Sequence, residues 1–194
     1  FGAITRGVEV TPAKELPAAP VVVHCWRAGL RSLSVAVLLR GLGWDEALIL
    51  EGGYKAYRRH VIDSLKEATL PEAFVLRGLT GVGKTLVLRE LERIRPGWTL
   101  DLEGHAQHRS SILGMVGLKP VGQKAFESDI AKRLRAGFPA DLVVYEGESR
   151  KVGDSIVPER IWESLVSGKN LKLTTTVERR VEALREDYLA EDGA

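Results

Sequence analysis

Two stretches of this 194-residue chain place reactive or phosphate-binding residue types where an apolar run gives way to a helical pattern. The first is Cys25-Trp26-Arg27-Ala28-Gly29-Leu30-Arg31-Ser32, in which a thiol follows the β-branched run Val21-Val22-Val23. Backbone N–H groups of a strand-to-helix turn converge and stabilise an anion, so Cys25 is expected to have thiolate character. Arg27 and Arg31 add positive charge beside it. A thiolate so placed is a nucleophile that can accept a chalcogen atom and hold it as a persulfide-like anion. A lone cysteine is more often an inert packing residue; the turn and the two arginines are what favour chemistry here.

The second stretch, Gly78-Leu79-Thr80-Gly81-Val82-Gly83-Lys84-Thr85, matches GxxxxGK[ST] throughout. It lies between the apolar run Phe74–Arg77 and a helical segment beginning at Lys84. Glycines let such a loop curl until its N–H groups meet on phosphate oxygens, helped by the helix dipole. Lys84 would pair with the terminal phosphates and the Thr85 hydroxyl would ligate Mg2+. The pattern leaves the phosphate carrier open, because ATP, GTP or the pyrophosphate of a non-nucleotide substrate fits the same cradle. A partner carboxylate for Mg2+ is expected at the end of a neighbouring strand. Asp101 and Glu146 lead the candidates, with Glu103 and Glu148 close behind. Arg150, followed by Lys151, is a further phosphate clamp or a solvated basic pair.

The elements that must position these residues alternate along the chain. Strands are expected at Val21–His24, Ala47–Leu50, Phe74–Arg77, Trp98–Leu102, Asp141–Tyr145 and Leu171–Val177. Helices are expected at Ser32–Arg40, Tyr54–Leu65, Lys84–Ile94, Phe126–Ala136, Pro158–Val166 and Glu178–Ala190, while 104–123 reads as irregular. Strands alternating with helices argue for an α/β fold with parallel sheets covered on both faces. The simplest division is two α/β units, 1–70 and 71–194.

Composition narrows the class further. Twenty-eight basic and 26 acidic side chains leave a net charge of only +2, so charge alone announces no nucleic-acid partner. One cysteine excludes an internal disulfide and any multi-thiolate metal site, and makes a reduced, cytoplasmic setting the default. The apolar runs are too short to span a bilayer.

Together the motifs resemble a rhodanese active-site loop followed by a P-loop module, the combination of the tRNA 2-selenouridine synthase family. The resemblance extends through His24–Ser32, Glu51–Arg59, Gly78–Thr85, Asp101–Ser111 and Glu146–Gly153. It implies a partial rhodanese-like domain followed by a P-loop NTPase/kinase-like parallel-sheet domain. It also implies a transferase that replaces the sulfur of wobble 2-thiouridine in tRNA with selenium from selenophosphate. The route implied is a geranylated intermediate made from geranyl diphosphate held on the phosphate loop, with Cys25 carrying selenium as a selanylcysteine. Contacts to tRNA would come from Lys55, Arg58 and Arg59, with Tyr54 and Tyr57 as stacking faces, and from His108 and Arg109.

The family loop usually carries two glycines where this chain has Ala28-Gly29, which crowds the cysteine loop slightly. Only 24 residues precede Cys25, whereas a rhodanese domain takes about a hundred. The sequence also stops soon after Ala190, and the resemblance therefore implies a chain truncated at both ends. Two rival readings use the same residues. One is a kinase-like phosphotransferase with a rhodanese remnant; the other is a nucleotide- or RNA-binding module with an inert Cys25. Oligomeric state is not written in the sequence.

Overall fold

A computed structural model describes residues 20–108 and 118–189, the last four by backbone alone. The chain divides into two compact units, Phe1–His60 and Val61–Ala194. Among the described residues no helix is long and apolar enough to cross a membrane.

In the first unit, β1 (Val22–Val23) pairs in parallel with β2 (Leu48–Ile49), Val22 opposite Leu48 and Val23 opposite Ile49. Parallel neighbours need a crossover, and helix α1 (Leu30–Gly41) supplies it. Ser32 and Ala36 are buried on α1, as is Ala47 just before β2. The Arg40 guanidinium ties the helix to β2 by donating from Nε (3.0 Å) and Nη2 (2.6 Å) to the Ala47 carbonyl. Four apolar residues of α1, Leu30, Leu33, Val37 and Leu38, are exposed, while Val35 and Leu39 are half-buried. Helix α2 (Gly53–Glu67) begins in this unit, and from Val61 onward it belongs to the second.

The second unit runs β3 (Glu72–Arg77), α3 (Lys84–Ile94), β4 (Thr99–Leu100), α4 (Leu102–Ala106), α5 (Gln123–Arg135) and β5 (Leu142–Glu146). It continues with β6 (Lys151–Val152), β7 (Ser155–Ile156), α6 (Glu159–Ser167), β8 (Lys169–Lys172) and α7 (Val177–Leu189). Four strands form one all-parallel sheet in the order β4-β5-β3-β8, and β6 and β7 form a separate antiparallel hairpin.

The period-two alternation of strands decides what each face of the sheet carries. Ala73, Val75, Val143 and Tyr145 face the larger core, with Phe126 and Ile130 of α5 and Ile161 and Leu165 of α6. Leu76 and Val144 face the other way, onto Leu88 of α3. Helices thus cover both faces, as parallel sheets require. Burying Phe126, Ile161 and Leu165 completely is worth about 2–3 kcal/mol each.

Three local outcomes differ from the sequence expectation. The run Leu171–Val177 is not one strand: β8 ends at Lys172, and Thr176 starts α7 by accepting the Arg179 N–H at its Oγ1 (3.3 Å). Threonine serves a helix start as readily as a strand, and here the cap wins. Leu102 is likewise helical, because Asp101 caps α4 by accepting the Gly104 N–H (2.8 Å). The β6–β7 hairpin has no counterpart among the expected strands, although its two-residue Gly153-Asp154 turn with Gly153 at φ 57° is a hairpin signal.

Candidate functional sites

The connection leaving β3 leads to β4 on one side of the sheet, and the connections leaving β5 lead to β8 on the other. The carboxyl ends of β3 and β5 therefore flank a topological switch point, the crevice where open parallel sheets bind ligands. The glycine-rich loop follows β3 and Glu146 ends β5, so both fall at this crevice.

Backbone conformation explains the loop's glycines. Gly83 precedes α3 at φ 90° and Gly81 adopts φ 78°, a region L side chains avoid. A Cβ at Gly81 would also lie 2.7 Å from the Arg180 carbonyl oxygen of α7. Helix α3 then presents Lys84 and Thr85 in its first turn.

Strand alternation puts Glu146 on the α3 side of the sheet, the side of Leu142 and Val144. Its carboxylate consequently meets the start of α3. Oε2 accepts the Thr85 hydroxyl at 2.8 Å, and Oε1 lies 3.7 Å from Lys84 Nζ. Lys84 Nζ also reaches the Gly78 carbonyl at 3.5 Å. Burial pushes the Glu146 carboxyl up to about 7, and nearby Glu103 adds to the rise; the Thr85 hydrogen bond and Lys84 oppose it. Carboxylate oxygens of Glu103, Glu146 and Glu148 lie within 4.8 Å of one another. Three acids this close, one of them buried at 5% exposure, suit a divalent cation that would relieve their repulsion. A pocket of about 90 Å3 lined by Thr85, Arg89, Asp101, Glu103, Gly104 and Gln107 adjoins them.

In the first unit the cysteine loop is built for an anion. The Gly29 N–H donates to Cys25 Sγ at 3.1 Å. The Ser32 hydroxyl lies 3.4 Å from the sulfur and 2.9 Å from the Gly29 carbonyl, so its one proton serves either acceptor. The Ser32 hydroxyl, followed by the Arg27 N–H, lowers the Cys25 thiol from 9.0 to about 6, with smaller help from the Gly29 and Ser32 N–H groups and opposition from burial. The start of α2 clamps the loop from outside, Tyr54 N–H donating to the Cys25 carbonyl (2.8 Å) and Lys55 N–H to that of Trp26 (3.1 Å). Gly53, at φ 62°, is required there, since a Cβ would sit 2.3 Å from the Cys25 oxygen. Ala28 adopts φ 55°, which explains why a second glycine would suit that position.

A family model described as the tRNA 2-selenouridine synthase AAA domain matches residues 71–194, the whole span from β3 onward. The chain belongs to the tRNA 2-selenouridine synthase AAA-domain family. Similar relatives, each named tRNA 2-selenouridine synthase, include one from Azotobacter vinelandii, 39% identical over 178 residues, covering 87% of this chain and 45% of the relative. Another, from Pseudomonas syringae pv. syringae, is 38% identical over 172 residues, covering 86% and 45%. A third, from Pseudomonas fluorescens, is 36% identical over 177 residues, covering 89% and 46%. The chain thus spans just under half the length of these relatives. No solved structure matches it.

For a member of the tRNA 2-selenouridine synthase family, the remaining expected site residues fall in several places. Asp101 lines the small pocket and caps α4, while Glu103 and Glu148 are the acids gathered with Glu146. Arg150 is exposed and ion-paired with Glu159 of α6. Arg27 and Arg31 flank the cysteine loop; Arg31 lies in the first turn of α1. Lys55 and Arg59 sit one turn apart on α2 and are both exposed, with Arg58 half-buried between them. The His108 ring packs against Gly153 in the β6–β7 turn, where a Cβ would lie 2.6 Å from its Cγ. Arg109 lies outside the described residues. Ser32, whose hydroxyl dominates the cysteine environment, has no role that the loop motif assigns; its position in the first turn of α1, seven residues after Cys25, is the available signal.

Proposed function

We propose that the protein containing this chain is a transferase that exchanges the sulfur of a tRNA 2-thiouridine for selenium supplied as selenophosphate. The observation that carries the reading is the Cys25 environment: a hydroxyl and three N–H groups stabilise the sulfur as a thiolate, the nucleophile that would act on the selenium donor. Family membership supplies the substrate class. The first unit is read as rhodanese-like on its strand–Cys–loop–helix order, and the second as a P-loop domain.

The phosphate loop is assigned the diphosphate of geranyl diphosphate, with ATP or GTP as the competing occupant. Lys84 and the loop N–H groups would grip the diphosphate, and the thiocarbonyl sulfur would attack the allylic carbon as the carbon–oxygen bond to diphosphate breaks. Thr85, Glu146, Glu103 and Glu148 would hold Mg2+, which when bound screens the charge of the departing diphosphate. Alkylation turns the sulfur into a leaving group: nucleophilic selenium would attack the uracil carbon that bears it, and the carbon–sulfur bond would break with departure of geranylthiolate. Lys55, Arg58, Arg59 and His108 are assigned to tRNA, Lys55 and Arg59 by their exposure on one face of α2.

The test is full-length protein with thiolated tRNA, selenophosphate and geranyl diphosphate, the nucleosides being read by mass spectrometry. Cys25→Ser should yield geranylated but no selenated uridine, and Lys84→Ala should yield neither. Selenouridine made by Cys25→Ser refutes the role of the thiol. Undiminished geranylation by Lys84→Ala removes the phosphate loop from the reaction.

A further inference from the structure

The phosphate loop has a neighbour that no motif announced. Helix α7 lies directly on it: the Arg180 carbonyl and Leu184 Cγ come within 2.7 and 3.0 Å of where a Gly81 Cβ would be. Arg180 Nε donates to the Thr80 carbonyl at 2.9 Å, a contact spanning one hundred residues of sequence. Every peptide described is trans. The C=O and N–H of one peptide therefore point in opposite directions. A Thr80 carbonyl held by Arg180 sets the Gly81 N–H facing away from α7.

The charge balance adds a second observation. The other loop cation, Lys84, has Glu146 as its counter-charge. Arg180 is half-buried against the loop, and among the described residues its guanidinium has no carboxylate partner. A guanidinium carries five N–H donors, of which the Thr80 contact uses one. A partly desolvated cation against a cradle of N–H groups, with donors to spare, is matched by a ligand with several anionic oxygens.

We propose that Arg180 is a positioning residue of the phosphate site: by pinning the Thr80 carbonyl it holds the Gly81 N–H toward a bound diphosphate, and its charge favours that anion from the α7 side of the peptide. The proposal rests on the phosphate-loop reading given above. The chemistry is that of a diphosphate group, whether its source is a prenyl diphosphate or a nucleotide.

The test is calorimetric titration of the full chain with inorganic pyrophosphate in magnesium buffer, comparing wild type, Arg180→Gln, Arg180→Lys and Lys84→Ala. Loss of a charge-assisted hydrogen bond corresponds to about a tenfold to hundredfold weaker Kd for Arg180→Gln. Arg180→Lys, which keeps the charge and loses the fork, should fall between Arg180→Gln and wild type. In wild type, pyrophosphate should also slow amide exchange across 177–189, a readout that needs no variant to fold. If both Arg180 variants bind like wild type while Lys84→Ala is weakened, Arg180 merely packs α7 and the proposal is overturned. If Lys84→Ala also binds like wild type, the phosphate-loop reading itself falls. Repeating the titration with geranyl diphosphate and with ATP identifies the source as the tighter ligand, and undiminished binding of both by Arg180→Gln overturns the assignment.

Discussion

Replacing Ser32 with alanine isolates the group that contributes most to the Cys25 thiolate. The hydroxyl sits 3.4 Å from Sγ, and with it the thiol titrates at about 6 rather than 9.0. At pH 7 that leaves about nine-tenths of the cysteine as thiolate, against about one part in a hundred for an ordinary thiol. The Gly29, Arg27 and Ser32 N–H groups survive in Ser32→Ala, so the midpoint should rise only part of the way, by about one pH unit. Two effects then oppose each other. Far below the midpoint the thiolate fraction falls about tenfold, but each thiolate is about threefold more reactive, because nucleophilicity rises with basicity. The variant should therefore react about threefold more slowly than wild type at pH 5 and about threefold faster above pH 8, with the profiles crossing near pH 6.5. Cys25 is the chain's one cysteine, so the rate of reaction with a pyridyl disulfide across pH 4.5–10 reads this site alone. A wild-type midpoint near 9, or superimposable profiles for the two proteins, would refute the assignment of the loop as a thiolate hole.

The other predictions concern a buried acid and a strained turn. Glu146 titrates at about 7 when folded against an ordinary 4.5, so its contribution to stability is lost as pH rises from below 4.5 through 7. Glu146→Gln should raise the Tm at pH 8 without divalent cation, by up to about 3 kcal/mol of stability, and the gap should close by pH 4.5. A gap that stays constant with pH would show that the carboxylate is not destabilised. Magnesium should raise the Tm of wild type at pH 8 and leave that of Glu146→Gln unmoved. Ala28→Gly should be stabilising by up to about 1 kcal/mol, since φ 55° strains alanine by slightly more than glycine's extra unfolded-state entropy offsets. Thermal unfolding checks it, and a lower Tm for Ala28→Gly would mean that the loop tolerates alanine without strain.

Much of the fold was legible because strand alternation and helix stops are local properties. The runs at Phe74–Arg77 and Asp141–Tyr145 became β3 and β5 to within two residues at each end, and α3 begins at Lys84 as the glycine loop requires. Less legible were residues with two local uses. Thr174-Thr175-Thr176 carries strand propensity, yet Thr176 caps α7; Asp101 suits a metal by type and position, and it caps α4. Which use prevails depends on what the next segment packs against, and the residue itself does not encode that.

By itself the sequence determined the chemistry available: one thiol in a CxxxGxRS turn, one GxxxxGK[ST] loop, and an alternation of strands and helices that argues for an α/β fold with parallel sheets. Tertiary structure decided which groups meet. Placing β5 beside β3 brings Glu146 to the Thr85 hydroxyl across 61 residues and gathers Glu103 and Glu148 with it. Folding α7 back onto the loop puts Arg180 at Thr80. Both are pairings between distant segments, fixed by strand order and by which side chains each sheet face can bury. A motif read along the chain carries no term for either.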